Sequence, residues 1–316
     1  MAEKKIIAVV GATGAQGGGL VRAILADKGG PFAARAVTRH ASSDKARELA
    51  RLGAEVVAAD LDDGASLRRA FAGAHGAFCV TFFWEHHSPE KEQAHARAMA
   101  EAAKHAGVRH VVWSTFEDTR AWVPLHDDRM PTLGGKYKVP HFDAKAEANN
   151  YFTELGVPVT FLHTSFYWDN LIHFGMGPKK GPDGKLGFTL PMGRAKLPGI
   201  AAEDIGRCVY GIFKRGAEFI GKSVGVAGEH LSGAEMATAL GKALGQEVRF
   251  NDVSPEEYRK FGFPGADDLG NMFQFKRDFE ADYRGMRDVA LSRSLDPALQ
   301  TFDAWLARNK DRIPLG

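Results

Sequence analysis

Short apolar runs alternate with amphipathic stretches along the first third of the chain. Residues 6–10 form an apolar run without polar alternation, which is typical of a strand buried on both faces. The pattern predicts strands at residues 6–10, 32–38, 55–59, 77–81 and 108–114, and helices at 20–26, 43–52, 65–72 and 90–106. This strict alternation with short connections predicts a parallel, doubly wound α/β sheet.

The pattern is less regular in the rest of the chain. Residues 117–138 are polar and contain several prolines and glycines, which predicts a long loop, and such loops are often functional. The other predicted elements are helices at 142–155, 202–213, 233–244 and 255–261, a strand at 157–163, and a loop or hairpin at 175–199. We expect a Rossmann-type domain at residues 1–155, to which 156–170 and 198–215 return. A smaller C-terminal α/β lobe is expected within 171–316, where it would form a substrate or partner cleft.

Acidic and basic residues nearly cancel in this chain of 316 residues, whose formal net charge is +2. This balance gives no electrostatic reason to expect direct nucleic-acid binding. Cys79 and Cys208 are the only cysteines, too few for a disulfide framework or a cysteine metal site, and the histidines show no converging spacing. No apolar stretch is long enough to cross a bilayer, and the first residues do not resemble a secretory signal. We therefore expect a cytoplasmic monomer or homodimer that binds no metal.

Three glycines stand three residues apart directly after the first predicted strand. The first, Gly11, allows a sharp turn, Gly14 lets backbone N–H groups approach a pyrophosphate, and Gly17 lets the next helix pack closely on the strand. The N-terminus of that helix carries a partial positive charge that favours phosphate. The spacing is weak evidence alone, but its place between strand and helix is the context that a dinucleotide-binding loop requires. The loop residues predicted to contact the cofactor are Gly11, Thr13, Gly14, Ala15, Gln16 and Gly17.

The end of the second predicted strand should distinguish NAD from NADP. An acidic side chain there would accept a hydrogen bond from the 2′-hydroxyl of the adenosine ribose, whereas an arginine would bind a 2′-phosphate. This strand ends at Thr38 and Arg39, and no acidic residue occurs before Asp44. A guanidinium pairs with phosphate through two parallel hydrogen bonds. The sequence therefore predicts NADP(H), bound by Arg39 and Thr38, with a solvated surface arginine as the alternative.

Other predicted strands end in residues that would border the same cofactor. Asp60 and Leu61 follow the third strand, where the adenine would lie, and their alternative role is a capping turn before the next helix. Thr81, Phe82 and Phe83 follow the fourth strand, where they would contact the cofactor or pack in the core. The remaining expected cofactor contacts are Ser114, Lys145, Tyr167 and Asn170.

These segments together resemble the NmrA-like branch of the atypical short-chain dehydrogenases. The resemblance rests on GATGAQGG at 11–18, VTR at 37–39, DLDD at 60–63, VTFFWE at 80–85 and HFDAK at 141–145. Residues 182–185, 263–266 and 271–273 also resemble the NmrA-like NADP(H) redox-sensor proteins of higher organisms, so the resemblance covers nearly the whole chain. It implies NADP(H) binding at the edge of the main sheet. It also implies one of two activities, because some members sense the NADP(H) balance and bind protein partners, while others reduce substrates.

The expected acid–base pair of this superfamily is altered here. Typical short-chain dehydrogenases carry Tyr-x-x-x-Lys on one helical face, where the lysine holds the nicotinamide ribose and activates the tyrosine. In this chain His141 stands at the tyrosine position and Lys145 at the lysine position. The candidate proton donors are Lys145, His141 and Tyr167. Because Pro140 places His141 at a helix start, a surface or capping role is its alternative, and aromatic packing is the alternative for Tyr167.

Two functions therefore remain open. The first is a redox-sensing regulator, in which NADP(H) orders the loops at 117–138 and 175–199 and changes a surface for a protein partner. The second is an NADPH-dependent reductase of a small apolar, quinone or phenolic substrate. The altered acid–base pair favours the first, and the polar residues expected near the nicotinamide favour the second. The aromatic residues expected to line the reductase pocket are Phe82, Phe83, Trp84, Phe166 and Trp168.

Overall fold

A seven-stranded sheet, parallel throughout, forms the centre of the computed structural model, which describes residues 3–316. Its strands are β1 (Lys5–Val10), β2 (Phe32–Thr38), β3 (Glu55–Ala58), β4 (Gly76–Cys79), β5 (His110–Thr115), β6 (Val159–His163) and β11 (Ser223–Gly225), numbered along the chain. They lie in the order β3-β2-β1-β4-β5-β6-β11. The direction of winding reverses between β1 and β4, so a crevice opens at the carboxyl ends of these strands. The predicted doubly wound α/β fold is confirmed.

Helices cover both faces of this sheet. They are α1 (Ala15–Ala26), α2 (Asp44–Arg51), α3 (Gly64–Phe71), α4 (Pro89–His105), α5 (Pro140–Glu154) and α7 (Ala202–Arg215). Within β1, Ile7 and Val9 point to the side of α1 and α7, whereas Ala8 and Val10 point to the side of α3, α4 and α5. Both faces of the strand are thus buried, which explains its unbroken apolar run.

The first helix starts at Ala15, five residues before the predicted start at residue 20. The glycines that lower its intrinsic helix propensity are needed for packing. A Cβ on Gly19 would collide with the backbone oxygen of Glu203 in α7, and a Cβ on Gly206 would collide with the backbone nitrogen of Leu20. The close contact between α1 and α7 therefore requires glycine on both helices.

The remaining elements form two small sheets with their own helices. The strands are β7 (Phe166–Tyr167), β8 (Lys179–Lys180), β9 (Leu186–Leu190), β10 (Lys196–Ile200), β12 (Glu229–Ser232) and β13 (Val248–Asp252), in the orders β12-β10-β7 and β13-β9-β8. The helices are α6 (Asn170–His173), α8 (Gly233–Leu244), α9 (Pro255–Tyr258), α10 (Ala266–Asp278), α11 (Glu280–Gly285), α12 (Val289–Leu295) and α13 (Phe302–Asn309). A buried apolar cluster, separate from those on the two faces of the main sheet, packs most of these elements together and includes Phe166 and Trp168, whereas α12 packs against α7 through Leu295. The prediction that these two aromatic residues line an open pocket is therefore wrong.

Two segments of the chain differ from the pattern-based expectation. Strand β11 joins the main sheet beside β6, although it falls in the range assigned to the smaller lobe. The long loop at 117–138 is present, but side chains of α10 hold it in place. Asn271 donates to the backbone oxygens of Pro131 and Lys138, at 2.9 and 2.6 Å, and Gln274 donates to that of Arg129 at 2.7 Å.

The described residues contain neither a membrane-spanning helix nor a cluster of metal ligands. Within residues 3–316, no helix combines the length and apolar character needed to span a membrane. Across that same range, no three His, Cys, Asp or Glu side chains converge as metal ligands would.

Candidate functional site

The glycine loop forms a tight turn at the carboxyl end of β1. Gly11 has a φ of +64°, a conformation that side-chain-bearing residues rarely adopt. Its carbonyl oxygen accepts a hydrogen bond from the Gly14 N–H at 2.9 Å. A Cβ on Gly17 would lie 2.5 Å from that same oxygen, so only glycine allows α1 to start this close to the strand. These contacts supply physical roles for the first and third glycines.

The first turn of α1 presents unpaired backbone donors. Its N-cap residue, Gly14, has no side chain to cap the helix, and the first turn contains no acidic residue. The N–H groups of Ala15, Gln16 and Gly17 have no hydrogen-bond acceptor within residues 3–316. Unpaired donors at a helix N-terminus, with no carboxylate nearby on the helix, suit a phosphate group. The residues present therefore fit a dinucleotide pyrophosphate.

Arg39 stands at the end of β2, but another side chain contacts its guanidinium. Glu85 binds it through two hydrogen bonds, Nη1 to Oε1 at 2.6 Å and Nη2 to Oε2 at 3.1 Å. Both side chains are about half exposed, at 50% and 46%. The hydrogen bond to Glu85 raises the pKa of Arg39, and the same bond lowers the pKa of Glu85. Thr38 is buried, with its Oγ1 atom 3.4 Å from that of Thr13.

The turn after β3 caps the next helix, which is the alternative to an adenine contact that the sequence left open. Asp63 caps α3 by accepting hydrogen bonds from the N–H groups of Ala65 and Ser66, at 2.9 and 3.2 Å. Asp60 accepts one from the N–H of Asp62 at 3.0 Å. The adjacent Leu61 is partly buried. Asp60 and Leu61 thus lie in an ordered turn.

Three predicted residues meet at the carboxyl ends of β5 and β7. Gln16 donates a hydrogen bond from Nε2 to the Tyr167 hydroxyl at 2.7 Å, and its Oε1 accepts one from Ser114 at 2.9 Å. The hydroxyl of Thr164 lies 3.1 Å from that of Tyr167. Burial raises the pKa of Tyr167 to about 12, which keeps the phenol protonated at neutral pH. Asn170 begins α6, and its side chain makes no hydrogen bond within the described part of the chain.

Lys145 is held in the interior by two partners. Its ammonium group pairs with Glu92 of α4 and donates to the Thr81 hydroxyl just beyond β4. Burial alone would raise the pKa of Glu92, but the Lys145 charge, the nearby His86 ring and the hydrogen bond from Thr81 lower it to about 2. The Lys145 ammonium also lies 5.2 Å from the centre of a Trp113 ring. Lys145 is therefore a fixed positive charge at the carboxyl end of β4.

His141 lies in the interior, so a surface role for it is wrong. Only 5% of the residue is exposed. Its Nδ1 atom is 2.6 Å from Oδ1 of Asp268 in α10, and its backbone N–H donates to Oδ2 of the same carboxylate at 3.2 Å. The ring centre of Trp84 lies 4.8 Å from that of His141, and that of Phe83 lies 5.9 Å away. Phe82, by contrast, is 52% exposed.

Side-chain contacts thus link Thr13 to Thr38, Gln16 to Ser114 and Tyr167, and Lys145 to Thr81. Sequence comparison identifies the family of the chain that carries them. The NmrA-like family model matches residues 3–306. This chain belongs to the NmrA-like family. The resemblance inferred from the glycine loop and the HFDAK segment is thereby confirmed.

Proteins similar to this chain include proteins named as oxidoreductases and one named as a transcriptional regulator. The NAD(P)H azoreductase of Xenophilus azovorans is 33% identical over 81% of this chain and 79% of its own length. The NmrA-like family domain-containing oxidoreductase FrzB of a Cladobotryum species is 29% identical over 85% of this chain and 83% of its own. The crystal structure of NmrA, a negative transcriptional regulator, in complex with NADP has a TM-score of 0.79 and 25% identity, covering 97% of this chain and 95% of that one.

Sequence reasoning missed four charged residues, of which three contact predicted site residues and the fourth belongs to a buried ion pair. Glu85, Glu92 and Asp268 contact predicted residues, as described above. The fourth, Glu117, follows β5 and pairs with the fully buried Arg287, at 2.7 and 3.0 Å. Burial alone would raise the pKa of Glu117, but the Arg287 charge lowers it. A periodicity argument cannot find such a pair, because 170 residues separate its members.

Proposed function

We propose that this chain binds NADP(H) and reduces a small aromatic acceptor. The observation that carries the cofactor proposal is the row of unpaired N–H donors at the start of α1. Arg39 stands at the end of the neighbouring strand β2, where a 2′-phosphate would lie. The NmrA complex with NADP supports the same proposal, because its fold matches this one.

Each predicted contact then has a role along the cofactor. The loop from Gly11 to Gly17 would hold the pyrophosphate, Arg39 and Thr38 the 2′-phosphate, and Asp60 and Leu61 the adenine. When bound, NADPH supplies a hydride. The residues proposed for the remainder of the cofactor, from the pyrophosphate to the nicotinamide, are Thr81, Phe82, Phe83, Ser114, Lys145, Tyr167 and Asn170.

The surroundings of His141 favour an aromatic acceptor. Phe82 is exposed, and Trp84 and Phe116 are partly exposed, so aromatic faces border the cleft. Flat aromatic molecules stack well on such faces. Two of the relatives are named oxidoreductases or azoreductases, which adds azo compounds to the quinones and phenolic compounds expected from the sequence.

Steady-state reduction of defined probes tests this proposal. Purified protein would be mixed with NADPH and either menadione, a quinone, or methyl red, an azo dye, and NADPH absorbance followed at several enzyme concentrations. We expect NADPH loss in proportion to enzyme with at least one probe. Tight NADPH binding with no loss of NADPH on either probe would contradict the reductase proposal.

One observation favours a second candidate, a redox-sensing regulator. A 2′-phosphate on Arg39 would displace Glu85, which ends the short 3₁₀ helix Phe83–Glu85. Trp84 of this helix packs on His141 and lies close to Gly265 at the start of α10. Cofactor binding would therefore move a surface segment that a protein partner could detect. Hydrogen exchange at residues 82–87 tests this role, and equal exchange rates with NADPH, NADP⁺ and no cofactor would contradict it.

A further inference from the structure

The pairing of His141 with Asp268 joins two distant parts of the chain at the proposed reaction site. Asp268 lies in the first turn of α10, 127 residues after His141. Both side chains are only 6% exposed. The carboxylate contacts the histidine twice, at the ring nitrogen Nδ1 and at the backbone N–H. Asp268 thus fixes both the position of the imidazole and the start of α5.

The contact determines which ring nitrogen carries the proton. A carboxylate can only accept hydrogen bonds, so Nδ1 must donate to Oδ1 of Asp268. The neutral ring then leaves Nε2 with a free lone pair, and the protonated ring carries its exchangeable proton there. Nε2 has no hydrogen-bond partner within residues 3–316 and keeps contact with solvent. This is the arrangement that an acid–base histidine with an orienting carboxylate requires.

The local packing is built to hold this geometry. Gly265, which precedes α10, has a φ of +82°, and a Cβ there would lie 2.8 Å from the Trp84 ring. The absence of a side chain allows α10 to approach Trp84, which in turn packs on His141. Lys145 lies one helical turn after His141, on the same face of α5. The 263–266 segment therefore serves to bring Asp268 to the histidine.

We propose that His141 donates the proton in the reduction and that Asp268 is its positioning residue. This inference rests on the proposed reductase function. With NADPH as the source of the hydride, the Nε2–H bond of the imidazolium breaks and its electron pair stays on the ring. The proton goes to the carbonyl oxygen of a quinone or to an azo nitrogen, and solvent returns a proton to Nε2. One acceptor, one NADPH and one proton thus give the reduced acceptor and NADP⁺.

An Asp268→Asn variant tests the proposal through the histidine tautomer. In the variant, the backbone N–H of His141 retains the amide oxygen as its acceptor, so the amide NH₂ turns toward Nδ1. Nδ1 must then accept, and the neutral ring places its proton on Nε2 instead. Long-range ¹H–¹⁵N correlation spectra of histidine-labelled protein without cofactor would show this change, with His141→Gln used to assign the signal. We expect an Nδ1–H tautomer in the wild type and an Nε2–H tautomer in the variant.

The kinetic consequence is measured on the same proteins. We expect kcat with menadione or methyl red to fall about 100-fold or more in Asp268→Asn, since general acid catalysis contributes roughly 10²–10⁴-fold. NADPH affinity should stay within about two-fold, because Asp268 does not contact the cofactor in the proposed binding mode. Asp267→Asn is the matched control, because Asp267 is the exposed neighbour with the same charge. It should retain the wild-type tautomer and rate.

The outcomes separate this inference from the proposed function. Wild-type turnover by Asp268→Asn, or an Nε2–H tautomer in the wild type, would overturn the role of Asp268 and leave the reductase proposal standing. A wild-type protein that oxidises no NADPH with either probe would overturn both, whatever the tautomer. If Asp268→Asn does not fold, the wild-type spectrum still decides the tautomer. Asp268→Glu, which keeps the carboxylate, should then recover more activity than His141→Gln.

Discussion

The two ends of the proposed cofactor cleft hold their charged residues in opposite ways. At the adenosine end, Arg39 and Glu85 pair on the surface, with both side chains half exposed. At the nicotinamide end, Lys145 pairs with Glu92, whose side chain is fully buried. An exposed pair contributes little stability and is easily exchanged for a new partner. A buried pair is costly to break, because removing one member leaves an uncompensated charge in the interior.

This difference assigns different roles to the two ends. The surface pair can open when a 2′-phosphate replaces the carboxylate of Glu85 on Arg39, so it suits selection of the cofactor. The buried pair keeps Lys145 in one place before any ligand arrives, so it suits orientation of the nicotinamide end. Stability should therefore depend on the buried pair, and cofactor choice on the exposed one.

The largest expected effect is on stability, from Glu92→Gln. The variant leaves the buried Lys145 ammonium without its carboxylate partner. We expect a loss of about 3–5 kcal/mol in the free energy of unfolding, the usual cost of breaking a buried pair. Urea denaturation followed by circular dichroism measures it, with Glu101→Gln, from an exposed pair on the same helix, as the control. A loss below about 1 kcal/mol in the free energy of unfolding would mean that the Lys145–Glu92 pair contributes no more than an exposed ion pair, which would contradict the contrast between the two ends.

The same pair predicts a pH dependence. The Lys145 charge holds the pKa of Glu92 in the folded protein at about 2, below the ordinary glutamate value of 4.5. A depressed carboxyl pKa stabilises the fold above the unfolded value, and this stability is lost as the pH falls through the folded value. We expect the stability difference between wild type and Glu92→Gln to be full above pH 4.5 and to shrink by about 3 kcal/mol toward pH 2. If the difference in the free energy of unfolding between the two proteins stays constant from pH 4.5 to pH 2, the lowered pKa of Glu92 is contradicted.

Arg39→Ala should change cofactor selection with little effect on stability. Hydrogen bonds to charged groups contribute about 1.5–3 kcal/mol, so NADPH affinity should fall roughly 10- to 100-fold. NADH, which lacks the 2′-phosphate, should bind about as it does to the wild type. Calorimetry with both cofactors measures this difference, and Arg47→Ala, at another exposed arginine, is the control. Equal losses for NADPH and NADH would exclude a 2′-phosphate role for Arg39.

The smallest expected effect comes from Glu85→Gln. The variant weakens the competitor for Arg39, so NADPH should bind several-fold more tightly, within the 0.2–1 kcal/mol typical of exposed pairs. Affinity for NADH and the unfolding midpoint should hardly change. Parallel titrations of wild type and variant measure the shift. Weaker NADPH binding in Glu85→Gln would mean that the carboxylate supports the cofactor site instead of competing for it.

The sequence was sufficient for features that depend on neighbouring residues. The order of elements through β5, the glycine loop and the position of Arg39 at the end of β2 all follow from local patterns, and the structure agrees with them. The sequence did not predict the ion-pair partners of Arg39, Lys145 and His141. These partners, Glu85, Glu92 and Asp268, lie 46 or more residues away along the chain. The start of α1 was also misplaced, because the packing of Gly19 and Gly206 outweighs the low helix propensity of glycine.

Titration of the wild-type protein with NADPH and NADH by calorimetry tests the central claim most directly. The unpaired donors of α1 and the guanidinium of Arg39 predict binding of NADPH, about 10- to 100-fold tighter than that of NADH. Equal affinity for the two cofactors would contradict the role given to Arg39. No binding of either would contradict the proposed cofactor site, and the reductase proposal with it.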